Sequence, residues 1–220
     1  MDIGRALSFP FKDAEWVKKI LIGGLITLIP FIGSFVAFGY AIEVVRRAYQ
    51  NDDTLPEWDD FGGYLTRGFL GWVGALVWAI PLILIGFCAF IPAIALSGDD
   101  SGASGAFFLF GYCLIIPLAI IFQAFVLPIL LGRYAVERNF GAMFQFSEVI
   151  EEIRRAGSAL LMVLVVAIVA TFVAQLGLIA CFIGIIFTTF YSYLAIAHAA
   201  GQAYRRARGL SDIPPAAPAF

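Results

Sequence analysis

The sequence has few side chains that could carry out acid–base or nucleophilic catalysis, which requires titratable groups held close together. The single histidine, His198, lies near the end of the last apolar segment, and the interiors of the apolar segments hold no acid to complete a Ser–His–Asp set. The H-E-x-x-H, P-loop and G-x-G-x-x-G motifs are absent. We therefore expect no catalytic residue, no metal site and no cofactor, and a protein that is not an enzyme.

Acidic side chains cluster only between the apolar segments. Glu57, Asp59 and Asp60 form one group, and the stretch from Glu148 to Glu152 forms another. An enzyme would have to use one of these groups at a membrane surface. We favour the simpler interpretation, in which they are solvated acids at the interface. The cysteines Cys88, Cys113 and Cys181 have no metal-ligand spacing, and we expect them to be small buried hydrophobes.

Four polar side chains lie within or at the edge of the apolar segments, where polar groups are costly and often functional. Glu43 precedes Arg46 and Arg47 at helical spacing, which favours a local ion pair. The alternative is an acid on an ion or substrate path, with His198 and Gln202 nearby. Gln123 and Gln175 lie in mid-segment, where we expect interhelical hydrogen bonds and, as the alternative, a polar cavity. The candidate intramembrane polar residues are Glu43, Gln123, Gln175 and His198.

The charge distribution identifies the medium that must surround these residues. All 14 Lys and Arg lie outside the long apolar runs, and none falls between Gly68 and Leu131 or between Gly157 and Tyr204. The chain is 61% hydrophobic and 14% charged, against about 25% charged for a soluble domain. The lipid bilayer is therefore the expected partner of most of its surface. The net charge of −2 argues against nucleic acid.

The apolar segments predict an all-α integral membrane bundle in one polytopic domain over residues 1–208. It has four full spans plus an N-terminal re-entrant hairpin or kinked span, and a disordered tail over 209–220. Prolines at 81, 92, 117 and 128 predict kinks in the central pair of spans. The hydrophobic segments cover about 20–45, 69–96, 105–131, 159–176 and 183–203.

The first apolar run allows two structures, because Pro30-Phe-Ile-Gly33 interrupts its middle. It is either one kinked span or a hairpin. Each arm of a hairpin would be about 13 residues, or about 20 Å, which is too short for the ~30 Å hydrocarbon core. A hairpin places every basic residue on one side of the membrane, so the positive-inside rule favours it. The protein is then a multi-pass cell-membrane protein with its C-terminus, and by the hairpin its N-terminus, in the cytoplasm.

Two amphipathic interfacial helices are predicted, over about 55–65 and 142–155. In the second, Phe146, Val149, Ile150 and Ile153 share one face, opposite the charged residues. The candidate interfacial residues are Trp58, Asp59, Asp60, Arg154 and Arg155.

Several segments resemble a family of bacterial and archaeal membrane proteins catalogued as a domain of unknown function. They are Phe9-Pro-Phe-Lys-Asp13, Trp16-Val-Lys-Lys-Ile-Leu-Ile-Gly-Gly24, Ile29-Pro-Phe-Ile-Gly33, Gly39-Tyr40, Leu55-Pro-Glu-Trp-Asp-Asp60 and the closing His198-x-x-Gly201-Gln-Ala-Tyr204-Arg205. The resemblance covers nearly the whole chain, and Leu-Pro-x-Trp-Asp-Asp is its most specific motif. It implies a multi-span membrane protein without an assigned activity or catalytic residues.

Three functions remain open. Small-residue faces at Gly68, Gly71 and Gly74, and around Ala195 to Gly201, are typical of close helix packing. With the absence of clustered polar groups, they favour an accessory or scaffold subunit that packs against another membrane protein or a homo-oligomer. A small homo-oligomeric transporter or channel for an ion or small solute requires the four intramembrane polar residues to line one cavity. A lipid-interacting role at the cytoplasmic interface depends on Arg154 and Arg155.

Overall fold

The computed structural model describes residues 2–95, 103–177 and 183–210. Within these ranges the chain is helical and contains no strand. The connections between the hydrophobic segments at 69–96 and 105–131 and between those at 159–176 and 183–203, and the predicted tail over 209–220, fall largely outside them. The α-helices are α1 Ile3–Ser8, α2 Trp16–Thr27, α3 Ile32–Tyr49, α4 Phe61–Ala95, α5 Ala103–Ile121, α6 Leu127–Glu137, α7 Phe146–Ala156, α8 Ser158–Leu176 and α9 Ile183–Ala207. Short 3₁₀ turns cover Phe9–Lys12 and Phe140–Phe144, and a π-helical segment covers Phe122–Val126.

Helices α2 and α3 form a hairpin in the first apolar run. A rare γ-turn at Phe31 reverses the chain: φ is 61° there, and the Ile32 amide donates to the Pro30 carbonyl at 2.7 Å. At Gly33 a Cβ would lie 1.8 Å from the Ile26 carbonyl oxygen, so only glycine allows the two arms to approach this closely. The local sequence therefore specifies both the turn and the close approach.

Helices α4 and α5 pack antiparallel, with the Phe90 ring beside Gly111 and Tyr112. Helix α4 runs without a break through Pro81 and Pro92. The chain from α5 to α6 instead passes through the π-helical segment just before Pro128, which cannot donate a backbone hydrogen bond. The central pair is thus one uninterrupted helix beside one whose hydrogen-bond register changes.

Helices α8 and α9 form a second antiparallel pair. The Ser192 hydroxyl donates to the Ala170 carbonyl at 2.6 Å, and the Thr188 hydroxyl donates to the Ala174 carbonyl at 3.0 Å. These bonds use donors from the more polar helix to satisfy carbonyls in an apolar surrounding. Helix α9 also packs against α2, α3, α6 and α7, so it lies at the centre of the bundle.

The small-residue faces pack within the chain. A Cβ on Gly39 would lie 1.8 Å from the Tyr64 carbonyl oxygen, and one on Gly68 would lie 1.8 Å from the Phe35 carbonyl oxygen. Helices α3 and α4 are therefore in backbone contact. Gly201 of α9 lies in the same way against the Val45 carbonyl of α3. These faces join helices of one molecule, so they supply no argument for a partner.

Three helical stretches among the described residues are long and apolar enough to cross a membrane: Phe61–Pro92, Ser104–Glu137 and Ser158–Leu176. The predicted fourth span corresponds to α9. The predicted helix over 55–65 is wrong in its first half, because residues 54–60 are not helical and α4 begins only at Phe61. Helix α7 forms as Phe146–Ala156, but it turns Val149 and Glu152 toward the protein and leaves Phe146 and Ile150 exposed.

Candidate functional site

Charged side chains of the described residues gather at one end of the bundle. We call it the polar end and define it as residues 2–19, 43–67, 133–157 and 198–208. It contains α1, the turns after α3 and α6, helix α7, and the C-terminal part of α9. Four groups of charged residues lie there, and each is built across several helices.

The segment Leu55-Pro-Glu-Trp-Asp-Asp60 is not helical, and side chains that bind its backbone hold it in place. The Leu55 carbonyl oxygen accepts hydrogen bonds from Lys19 and Arg47, both at 3.1 Å. The Pro56 carbonyl oxygen accepts one from Tyr40, and the Glu57 carbonyl oxygen accepts one from Tyr64. The Trp58 ring stacks on Tyr40, with centroids 4.1 Å apart. The motif that is most specific in the sequence is thus a clamp between α2, α3 and α4, which explains why its tryptophan and proline are present.

Lys19 supplies the charge that holds this clamp to α2. Its ammonium group is buried and contacts Asp13 at 2.8 Å and Glu57 at 2.5 Å. Burial alone would raise the pKa of Asp13, but hydrogen bonds from Lys19 and from the backbone of Glu15 and Leu55 outweigh it and lower that pKa. Asp13 and Lys19 therefore remain charged and paired.

Asp53 joins the N-terminal helix to α9. Its carboxylate contacts Arg5 at 2.8 Å, Lys12 at 2.6 Å and the His198 ring at 3.0 Å. Burial would raise the pKa of Asp53, but hydrogen bonds from His198, Arg5 and Lys12 hold it well below its usual range. Phe9 stacks on the buried His198 ring at 4.2 Å. No serine or cysteine hydroxyl or thiol is hydrogen-bonded to His198 among the described residues, so the group has the form of a structural junction.

The guanidinium of Arg133 lies fully buried between α6 and α7. It contacts Glu148 at 2.7 Å and Glu152 at 3.0 Å, and it donates to the Ala142 carbonyl at 3.0 Å. Arg208 of α9 also reaches Glu152, at 3.1 Å. Glu152 is therefore not the solvated acid that the sequence pattern suggested, because α7 turns it toward Arg133.

Glu43 forms the expected local pair with Arg46, at 3.4 Å. It also contacts Arg138 at the end of α6, at 2.9 Å. Arg47 points elsewhere and binds the Leu55 carbonyl. His198 and Gln202 are not its neighbours, since Gln202 hydrogen-bonds to His198 and to the backbone of Asp2.

The structure does not bring the four intramembrane candidates together. Gln123 is exposed on the π-helical segment and Gln175 is exposed near the end of α8. Glu43 and His198 lie at the polar end in different groups. A shallow recess of about 560 Å³ on the outer face of α2, lined by residues such as Val17, Lys18 and Leu21, includes none of the four.

The remaining candidates lie on the surface. Asp60 caps α4 through the Gly63 amide and pairs with Arg67 at 3.0 Å, and Asp59 is exposed. Arg154 and Arg155 are exposed on α7, with Arg155 paired to Glu151. Within a single copy of the chain, Cys88 and Cys113 are exposed, so the expectation that they are buried hydrophobes is wrong. Cys181 lies outside the described residues.

Sequence reasoning missed Lys19, Asp53 and Arg133, the three residues on which the groups are built. Arg133 carried a signal, because it is the first basic residue after an apolar run and α7 places Glu148 and Glu152 one turn apart. Lys19 and Asp53 carried little signal. Leu55 and Glu57 lie 36 and 38 residues from Lys19, and only its partner Asp13 is near in sequence. Arg5, Lys12 and His198 lie 41 or more residues from Asp53.

Comparison with known proteins agrees with the resemblance seen in the sequence. Residues 22–183 match the family described as "Protein of unknown function (DUF4013)". An uncharacterised protein of Methanocaldococcus jannaschii is 30% identical over 169 residues, which cover 74% of this chain and 57% of that protein. The chain thus spans a little over half the length of this relative. No solved structure matches the chain.

Proposed function

This chain belongs to the DUF4013 family, whose function is unknown, and we propose that it is a non-enzymatic integral membrane protein. Its role is that of an accessory or scaffold subunit, which packs against other membrane proteins or against a second copy. The observation that carries this proposal is the uncovered surface of α4 and α5, where an amide side chain faces outward among apolar ones.

The uncovered surface is extensive. Only 6% of the apolar stretch of α4 is buried within the chain. On the neighbouring α5, Tyr112, Ile116 and Ile120 are exposed at intervals of four residues, and exposed Gln123 continues the same face. Lipid would cover the apolar side chains at no cost. An amide in hydrocarbon without a hydrogen-bond partner is destabilising, and polar side chains at this depth usually bond across helices.

Gln123 lies at a depth where lipid offers no hydrogen bonds. It is ten residues before Arg133 of the polar end. At 1.5 Å per residue this is about 15 Å, or half of the ~30 Å hydrocarbon core. A polar group on another membrane helix, including Gln123 of a second copy related by a two-fold axis, would satisfy the amide.

The topology that accompanies this proposal has four crossings and one re-entrant hairpin. Helices α4, α5–α6, α8 and α9 cross, and the polar end faces the cytoplasm because the basic residues lie there. The hairpin enters and leaves at that end, since Lys19 on α2 contacts Leu55 and Gly39 on α3 contacts Tyr64. Its tip lies beside Trp72, eleven residues or about 17 Å along α4, so it reaches roughly half the core depth.

The experiment is gentle detergent extraction from native membranes, followed by native mass spectrometry. We expect a stoichiometric membrane partner or a defined homo-oligomer. Gln123→Leu should lower the association constant about 3- to 30-fold, as expected for one interhelical hydrogen bond of ~0.6–2 kcal/mol. Gln175→Leu is the matched control, because it removes an exposed amide from a different helix pair. Recovery of only lone monomer would contradict the proposal.

A lipid-interacting role at the interface is the second candidate. Exposed Phe146 and Ile150 on α7 lie beside exposed Arg154 and Arg155, a combination typical of helices that lie on anionic membranes. Unchanged liposome association after Arg154→Ala and Arg155→Ala would count against it. Transport has less support, because the four residues it required do not share a cavity among the described residues.

A further inference from the structure

A small, partly open cavity lies between α3, α4 and α6, at the level of the polar end. Its volume is about 60 Å³, which is several times the minimum that a single water molecule requires. Its lining is Ile42, Glu43, Arg67, Tyr134, Ala135 and Arg138. Two guanidinium groups therefore reach one small space whose lining is otherwise largely apolar, and guanidinium groups are strong donors to anions.

The charges around this cavity do not balance. The Glu43 carboxylate is shared by Arg46 at 3.4 Å and Arg138 at 2.9 Å. Arg67 pairs with Asp60 at 3.0 Å. Among the lining residues themselves, the guanidinium groups of Arg67 and Arg138 face the single carboxylate of Glu43, so the lining has one positive charge in excess.

One donor in the wall lacks an acceptor. The Nε–H of Arg67 is buried and has no hydrogen-bond partner within the described part of the chain. The rest of this guanidinium is committed, because one Nη donates to Asp60 and the group lies 4.9 Å from the centre of the Tyr64 ring. A buried donor left unpaired costs about 1–3 kcal/mol, so an acceptor from outside the chain would stabilise this arrangement.

We propose that this cavity binds one phosphate group with a single negative charge, held by Arg67 and Arg138. A phosphodiester matches the excess charge and supplies the missing acceptor oxygen for the Arg67 Nε–H. Both an anionic phospholipid headgroup and free phosphate carry this chemistry. The surroundings favour the lipid, because Arg67 lies six residues into α4 at the polar end, and basic pockets between membrane helices at the cytoplasmic side bind lipid headgroups.

The test is a thermal-unfolding titration of the full-length protein in a neutral detergent. One arm adds phosphatidylglycerol to phosphatidylcholine mixed micelles, and the other adds inorganic phosphate at constant ionic strength. We expect a saturable rise in the unfolding midpoint with phosphatidylglycerol and a weaker one with phosphate. If phosphate alone gives the full rise, the cavity is a free-phosphate site.

Three variants identify the cavity as the binding site. Arg67→Lys keeps the charge and removes the Nε donor, and Arg138→Gln removes one guanidinium at the more exposed side of the cavity. Each should raise the half-saturating ligand concentration at least about tenfold, because each removes a charge-assisted hydrogen bond to the phosphate and such bonds are strong. Lys18→Gln, which removes an exposed lysine from α2 that does not line the cavity, should leave it unchanged. If neither ligand raises the midpoint, or if Lys18→Gln weakens the response as much as the cavity variants do, the proposal is overturned.

Discussion

The polar end and the distal halves of α4 and α5 differ in how much of their structure the chain itself provides. At the polar end and directly beside it, backbones touch at Gly39 and Gly68, and buried Lys19 and Arg133 contact carboxylates outside their own helices. In the distal halves, Leu84, Phe87 and Ile91 are exposed, and no other part of the described chain covers them. The first region is completed internally, whereas the second depends on its surroundings. Substitutions should therefore have large effects on folding at the polar end and small ones in the distal halves.

The largest effect is expected from Gly39→Leu. A Cβ at this position would lie 1.8 Å from the Tyr64 carbonyl oxygen, and backbone cannot move aside as a flexible side chain can. We expect loss of folded protein, measured as the monodisperse fraction in size-exclusion chromatography after extraction.

The matched substitution in the distal region is Gly86→Ala. The nearest atom to its Cβ would be the Ile115 Cδ1 at 3.5 Å, an ordinary contact. Its yield should equal that of the parent protein. Equal yields for Gly39→Leu and the parent would show that α3 and α4 do not cross as described.

The second largest effect is expected from Arg133→Met. This change leaves Glu152 buried without its main partner, and breaking a buried ion pair on one side costs about 3–5 kcal/mol. The unfolding midpoint in detergent should fall by many degrees. The double variant Arg133→Met, Glu152→Leu should recover much of the loss, because no buried charge remains unpaired.

The control for this pair is Arg155→Met. Arg155 and Glu151 are both exposed, and exposed pairs contribute about 0–1 kcal/mol. A double variant at 133 and 152 that is no more stable than Arg133→Met alone would argue that the guanidinium acts through its bond to the Ala142 carbonyl and not through Glu152.

The two regions also differ in what their sequences reveal. The apolar run over 159–176 predicted Ser158–Leu176 almost to the residue, and Pro30–Gly33 predicted the turn between α2 and α3. Such features depend on neighbours along the chain. The segment at Leu55–Asp60 was predicted as the start of a helix, yet it is not helical, and Tyr40, Lys19 and Arg47 bind its carbonyls. Partners that are distant in sequence decide the structure there, and periodicity does not detect them.

The third prediction concerns acid stability, which Asp53 should dominate at the junction of α1 and α9. Its pKa is lowered in the folded protein, so its contribution is complete at neutral pH. The contribution should decline as the pH falls below about 5, because the unfolded carboxyl, with a pKa of about 3.9, begins to bind protons first. It is lost entirely only below the folded pKa.

Asp53→Asn tests this assignment. The variant should unfold at a lower temperature at pH 7 and show a flatter decline between pH 5 and pH 3, measured by intrinsic fluorescence. Asp59→Asn is the control, because Asp59 is exposed in the same connection. A decline in Asp53→Asn as steep as in the parent protein would assign acid sensitivity to other carboxylates, such as Asp13.

The smallest effect is expected from Phe31→Gly at the tip of the hairpin. Phe31 has a positive φ of 61°, which costs a non-glycine residue about 1–3 kcal/mol and glycine very little. Its ring is 81% exposed, so its removal leaves the packing within the chain intact. In detergent the variant should be about as stable as the parent or up to ~1 kcal/mol more stable, since glycine also loosens the unfolded chain.

If the tip enters the bilayer, the same variant should partition less well into liposomes, because an exposed phenyl ring is lost from the hydrocarbon. A marked loss of stability in detergent would mean that Phe31 packs against protein, and the hairpin would then belong with the internally completed region.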